Sequence, residues 1–143
     1  MVRTLLASAA RTASGQDVLV GSFEDVMGGV FYLDVTVAAA AAGDTLDVYV
    51  QSAVNTSGGW NDFIHFTQVL GNGGAKQFIA TWSPQAASET DVIAPQNGAI
   101  AVGVVQNIQA FTWKVKWVIV DSGAGTQSFT FSLSAELHRR PRR

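Results

Sequence analysis

The stretch GVFYLDVTVAAAAAGDTLDVYVQS, residues 29–52, decides the reading of the fold. In its first part Phe31, Leu33, Val35 and Val37 share one face, with Tyr32, Asp34 and Thr36 opposite. In its last part Leu46, Val48 and Val50 alternate with Asp47, Tyr49 and Gln51. Successive side chains of an extended chain point to opposite faces, so this period of two marks half-buried strands. The five alanines at 38–42 are too few to hold a helix unaided, and Gly43-Asp44 supplies turn chemistry. The stretch predicts strand, turn, strand.

The same pattern recurs outward from it. In FTWKVKWVIV, residues 111–120, Phe111, Trp113, Val115, Trp117 and Ile119 face one way, while Thr112, Lys114 and Lys116 face the other. In SFTFSLSAEL, residues 128–137, Phe129, Phe131, Leu133, Ala135 and Leu137 form the apolar face. Weaker strand patterns lie near 2–9, 17–22, 62–69, 76–82 and 99–106, separated by glycine-rich turns such as GNGG and SGAG. No helix is predicted. About eight or nine short strands with such punctuation predict an all-β fold, an antiparallel β-sandwich of jelly-roll-like type, as a single domain over 1–143. Residues 83–96, with Pro84 and Pro95, read as a long crossing loop. Val118 and Val120 fall on the lysine face of their strand, so its far end is apolar on both sides. Such a segment is covered by its own chain or by a second copy, which predicts a homo-oligomer.

Composition narrows the function. Of 143 residues 48% are apolar and 14% charged, against roughly a quarter charged in ordinary soluble domains. A surface so poor in charge suits a protein packed against others. Residues 1–138 hold five cations against eleven acids, a formal −6, and the terminal HRRPRR adds +4 through Arg139, Arg140, Arg142 and Arg143. Pro141 favours an extended basic arm there, and 1–14 reads as an N-terminal arm. A single basic run without a basic face on the body gives no support for nucleic acid as a partner. LLASAA is shorter than the 7–15 apolar residues of a signal peptide core. No stretch approaches the ~20 apolar residues of a membrane helix, so no membrane partner is expected. There is no cysteine, hence no disulfide and no thiolate metal site.

Few places could hold chemistry. TSGGWNDFIHF, residues 56–66, contains Asp62 and His65, three apart and so on opposite faces of a regular strand, where they share neither a metal nor a proton. Two isolated histidines, His65 and His138, do not make a zinc site or a nucleophile–histidine system. The carboxylate pairs Glu24-Asp25 and Asp44/Asp47 lack the alternating oxygen ligands of a calcium loop. No catalytic residue, cofactor or metal is therefore predicted. A hydrolase built from carboxylates of distant strands stays open as an alternative. So does a glycan-binding module using Tyr49, Trp60 and Trp82 as a platform. Asn55-Thr56-Ser57 matches a glycosylation sequon without secretory context.

Three segments, TLLASAARTASG, LDVTVAAAAAGDTLDVYVQS and KVKWVIVDSGAGTQSFTFSLSAEL, resemble a group of small all-β proteins encoded among tailed-bacteriophage structural genes. The similarity covers most of the chain except 83–108, and its motifs are structural, not catalytic. The resemblance implies an auxiliary or decoration protein of the phage head, commonly trimeric, that binds the major capsid protein on the outer surface of the virion. Tail and neck proteins of similar architecture are the alternative station. Decoration needs no active site, because the free energy of contact is itself the function. On this reading the interface residues are Arg3, Leu5, Leu6 and Arg11 of the N-terminal arm, Val118 and Val120, and the basic tail of Arg139, Arg140, Arg142 and Arg143.

Overall fold

The computed structural model describes residues 2–21, 23–53, 59–83, 98, 100–105, 110 and 112–141. The sequon at Asn55, Phe111, the prolines of the crossing loop, Arg142 and Arg143 lie outside the described residues. Among the described residues there are nine strands: β1 (Val2–Arg11), β2 (Gly15–Val18), β3 (Val26–Val37), β4 (Thr45–Ala53), β5 (Asn61–His65), β6 (Val69–Leu70), β7 (Lys76–Trp82), β8 (Thr112–Val120) and β9 (Phe129–Arg139). They form two antiparallel sheets, one in the order β1-β9-β3-β7 and one in the order β2-β8-β4-β5, with β6 pairing the start of β4. The antiparallel β-sandwich is present as the alternation requires.

The core lies between the sheets. Phe31, Leu33, Phe131 and Leu133 of the first sheet and Leu46, Val50, Phe63 and Trp113 of the second are fully buried. Aromatic rings join the layers: Phe23 stacks on Trp113 at 4.3 Å, Phe31 meets Phe63 edge-on at 6.0 Å, and Trp82 meets Trp113 at 6.1 Å. Such offset and edge-to-face pairs add to the area they bury.

Strict alternation is broken at bulges in β1, β3 and β5, where one extra residue shifts the side chains beyond it to the other face. In β1 Thr4 pairs with Ser134 and Leu6 with Leu133, so Leu5 and Leu6 both turn inward, each 4% exposed. In β3 the shift between Val35 and Val37 pairs Val37 with Thr130 and leaves it 54% exposed, which corrects its expected core position. At the other end of β3 a shift falls between Val26 and Gly28. In β5 the pairs Val50↔Ile64 and Gln51↔Asp62 leave Phe63 as the extra residue, with Phe63 and Ile64 both fully buried.

The N-terminal arm is not free. Val2–Arg11 is an edge strand paired along β9, because Leu5 and Leu6 belong to the core. Arg11 donates to the carbonyls of Ala7 and Ala9 on its own strand and of Phe131 at 2.9 Å, and its guanidinium lies over the rings of Phe131 and Trp117. The Trp117 indole donates to the Ala13 carbonyl at 2.9 Å and lies where a Gly15 side chain would be. The corner from β1 to β2 is thereby fastened to both sheets. At the other end β9 continues through His138 to Arg139, whose guanidinium pairs with Asp25, and the Arg140 N–H donates to the Asp25 carbonyl. The basic segment is held in the sheet as far as Arg139.

Candidate assembly surface and its buried polar network

The outer face of the second sheet gathers the residues that sequence reading singled out on β4, β5 and β8. Directly paired residues share a face, and the ladder sets Val120 beside Thr45 beside Leu70, Val118 beside Asp47, Lys116 beside Tyr49 beside His65, and Lys114 beside Gln51 beside Asp62. One half of this face is apolar. Val120 is 50% and Leu70 53% exposed, and Val118 is half-buried between them and the polar half. Sequence reading placed Val118 and Val120 here but missed Leu70, which only strand pairing brings alongside.

The polar half is covered. The segment carrying Gly98 and residues 100–105 lies against it and continues the sheet beyond β5: the His65 N–H donates to the Val104 carbonyl at 3.0 Å and the Gly103 N–H to the His65 carbonyl at 2.9 Å. Asp62, fully buried, accepts from the Gln51 amide at 2.5 Å, the Gly98 N–H at 2.9 Å and the Ile100 N–H at 3.3 Å. His65 Nε2 lies 2.8 Å from Asp47 Oδ1, and its Nδ1 2.9 Å from the Ile100 carbonyl oxygen. The Gln68 amide donates to the second Asp47 oxygen at 2.8 Å, and the Tyr49 ring stacks on the imidazole at 4.0 Å.

Asp62 and His65 therefore occupy the same face, which corrects the expectation that they point apart. The bulge at Phe63 inserts one residue between them and restores the parity that a regular strand would deny. The surroundings set their charges. Burial disfavours a charged His65, but the hydrogen bonds to Asp47 and the Ile100 carbonyl, with the carboxylates of Asp47 and Asp62 nearby, raise its pKa above the ordinary histidine value. Burial pushes the Asp47 carboxyl up, yet hydrogen bonds from His65 and Gln68 and the charge on His65 bring it below the ordinary value. Burial and the two carboxylates push the Tyr49 phenol up. Both oxygens of Asp47 and of Asp62, and both nitrogens of His65, are engaged within the chain. The arrangement holds a segment in place.

The other candidates fall elsewhere. Trp82 is 1% exposed in the core between the sheets, while Tyr49 lies under the segment carrying Gly98 and residues 100–105, and half-buried Trp60 takes the Lys114 ammonium at 4.4 Å over its ring. Tyr49, Trp60 and Trp82 thus form no common platform. Of the expected interface residues, Leu5 and Leu6 are core. Arg3 donates to the Val20 carbonyl with its guanidinium over Phe23, and Arg11 closes the β1–β2 corner. Asp44, read only as part of a carboxylate pair, instead joins three turns. Its buried carboxylate accepts from the Ser122 N–H and hydroxyl at 2.8 and 2.7 Å, and its carbonyl from the Gly71 N–H at 2.7 Å. Among the described residues no group of three or more His, Asp or Glu side chains is placed to hold a metal ion.

No protein-family model matches this chain, and no curated protein matches it. Among solved structures, a chain of the cryo-EM atomic structure of Broad Bean Stain Virus is similar at 13% identity with a TM-score of 0.43; the match covers 90% of this chain and 58% of that one.

Proposed function

We propose that this chain is a non-enzymatic virion structural protein that binds the outside of a phage capsid and stabilises the shell by bridging its subunits. The observation that carries this reading is the apolar row of exposed Val120 and Leu70 with half-buried Val118, set on a sheet whose other half is fastened internally. Exposed apolar side chains aligned on a rigid face gain free energy when a partner covers them. The sparse charge of the chain and the resemblance to phage structural proteins point the same way, and we read the winding of the strands as jelly-roll-like. Binding the assembled shell in preference to its dissociated subunits stabilises the shell by mass action. A homotrimer would present three such rows at once.

Co-sedimentation with undecorated, expanded capsids tests the proposal. Saturation at a fixed copy number per capsid subunit is expected, with binding weakened about tenfold or more by Val120→Asp combined with Leu70→Asp. Absence of saturable binding by folded protein would overturn the head assignment and favour a tail or neck station. Unchanged binding by the double variant would remove the apolar row from the interface.

A further inference from the structure

With Asp47 ionised, the two contacts of His65 cannot both be made by a neutral imidazole. A carbonyl oxygen and an ionised carboxylate oxygen are both acceptors, so Nδ1 facing Ile100 and Nε2 facing Asp47 must each carry a hydrogen. Neutral histidine has one N–H, and imidazolium has two. The two bonds join different parts of the fold, since Asp47 stands in the middle of β4 while Ile100 belongs to the segment that covers the sheet. We propose that His65 is a proton-controlled latch: as imidazolium it fastens the segment carrying Gly98 and residues 100–105 to the outer face of the second sheet, and loss of one proton releases that segment.

The groups facing His65 fit this role. From β4 come the Asp47 carboxylate and the stacked Tyr49 ring, and from β5 the Asp62 carboxylate. From β8 comes Lys116, whose ammonium lies 5.9 Å from the Tyr49 ring centre. Gly98 and residues 100–105 bring no titratable side chain. The neighbouring carboxylates favour the charged ring, which holds its second proton to higher pH than an ordinary histidine does. Once the ring is neutral, one of its two contacts sets acceptor against acceptor. What remains on the segment is the pair of N–H bonds to Asp62, the Tyr49 hydroxyl on the Gly98 carbonyl and the short backbone pairing at Gly103 and Val104.

Release has a structural outcome. Gly103 and Val105 form one wall of a groove of about 200 Å³, and Ile79, Ala80 and Thr81 of edge strand β7 form the other. Loosening the segment widens this groove beside β7.

Nitrogen NMR of the histidine rings, with amide hydrogen exchange followed between about pH 6 and 9, tests the latch. At neutral pH both His65 ring nitrogens should be protonated. Above the ring's midpoint, protection of the Gly98, Ile100 and Gly103 amides, corrected for intrinsic exchange, should fall by up to about tenfold per pH unit while the β3–β9 ladder keeps its own. In His65→Gln that pH dependence should vanish. A single neutral tautomer at neutral pH would overturn the proposal, and so would an equal loss of protection in wild type and His65→Gln. The ring measurement needs only wild-type protein, so it decides even if the variant folds poorly.

Discussion

Asp62 has no exposed surface, and its carboxylate receives the Gln51 amide and two backbone N–H groups. Asp62→Ala would strand those donors, and buried unsatisfied groups cost about 1–3 kcal/mol each. We expect a loss of about 3 kcal/mol or more, read as a lower urea midpoint at unchanged slope. Asp62→Asn keeps one acceptor oxygen and should cost less. The His65–Asp47 pair adds a pH window. Asp47, held below its ordinary value, contributes stability above about pH 4 that is lost as pH falls through its folded pKa. His65, held above its ordinary value, contributes stability that is complete below about pH 6.5 and is lost as pH rises through its folded pKa. Stability should therefore be greatest between these limits, and His65→Gln should flatten the alkaline limb. Strict alternation set Asp62 and His65 apart because it counts residues as though every strand were regular. The signal against it was local: in Asp62-Phe63-Ile64-His65 two adjacent core residues stand between two polar ones, the pattern a bulge leaves.

The strands themselves were legible wherever alternation ran long. β3, β4, β8 and β9 fall where the apolar periods placed them, with Phe31, Leu33, Leu46, Val48, Val50, Trp113, Val115, Phe129, Phe131 and Leu133 buried. β1 was harder to read, because adjacent Leu5 and Leu6 break the period and the exposed run of Ala7, Ser8, Ala9 and Ala10 resembles a tether. Its bulge turns both leucines into the core, so the strand is structural. Leu6→Ala should therefore destabilise the fold by about 2–5 kcal/mol, measured by denaturant unfolding. Removing 1–11 should unfold the first sheet instead of yielding a folded protein with weakened binding. A truncated chain with native near-ultraviolet dichroism would show that the pairing with β9 is dispensable. Leu70 was invisible as a surface residue because β6 is too short to show a period, and only its pairing with β4 sets it across Thr45 from Val120.

At the scale of the whole molecule, the outer face of the second sheet is divided between a fastened polar half and an open apolar half. If the open half joins copies of this chain, Val120→Asp should shift sedimentation velocity toward the monomer while leaving the unfolding midpoint within about 0.5 kcal/mol of wild type. An unchanged sedimentation profile would place self-association elsewhere. The order of strands in the first sheet has a temporal consequence. β9 lies between β1 and β3, with Val2 paired to Glu136 and Leu33 to Leu133. On the ribosome β9 emerges after the eight other strands, so β1 and β3 have no shared neighbour to dock on until it is made. Until then the exposed edges of both are open to wrong partners. Pairings this distant in sequence fold slowly, on the millisecond-to-second scale. The ninth strand to emerge is the one that closes the sheet.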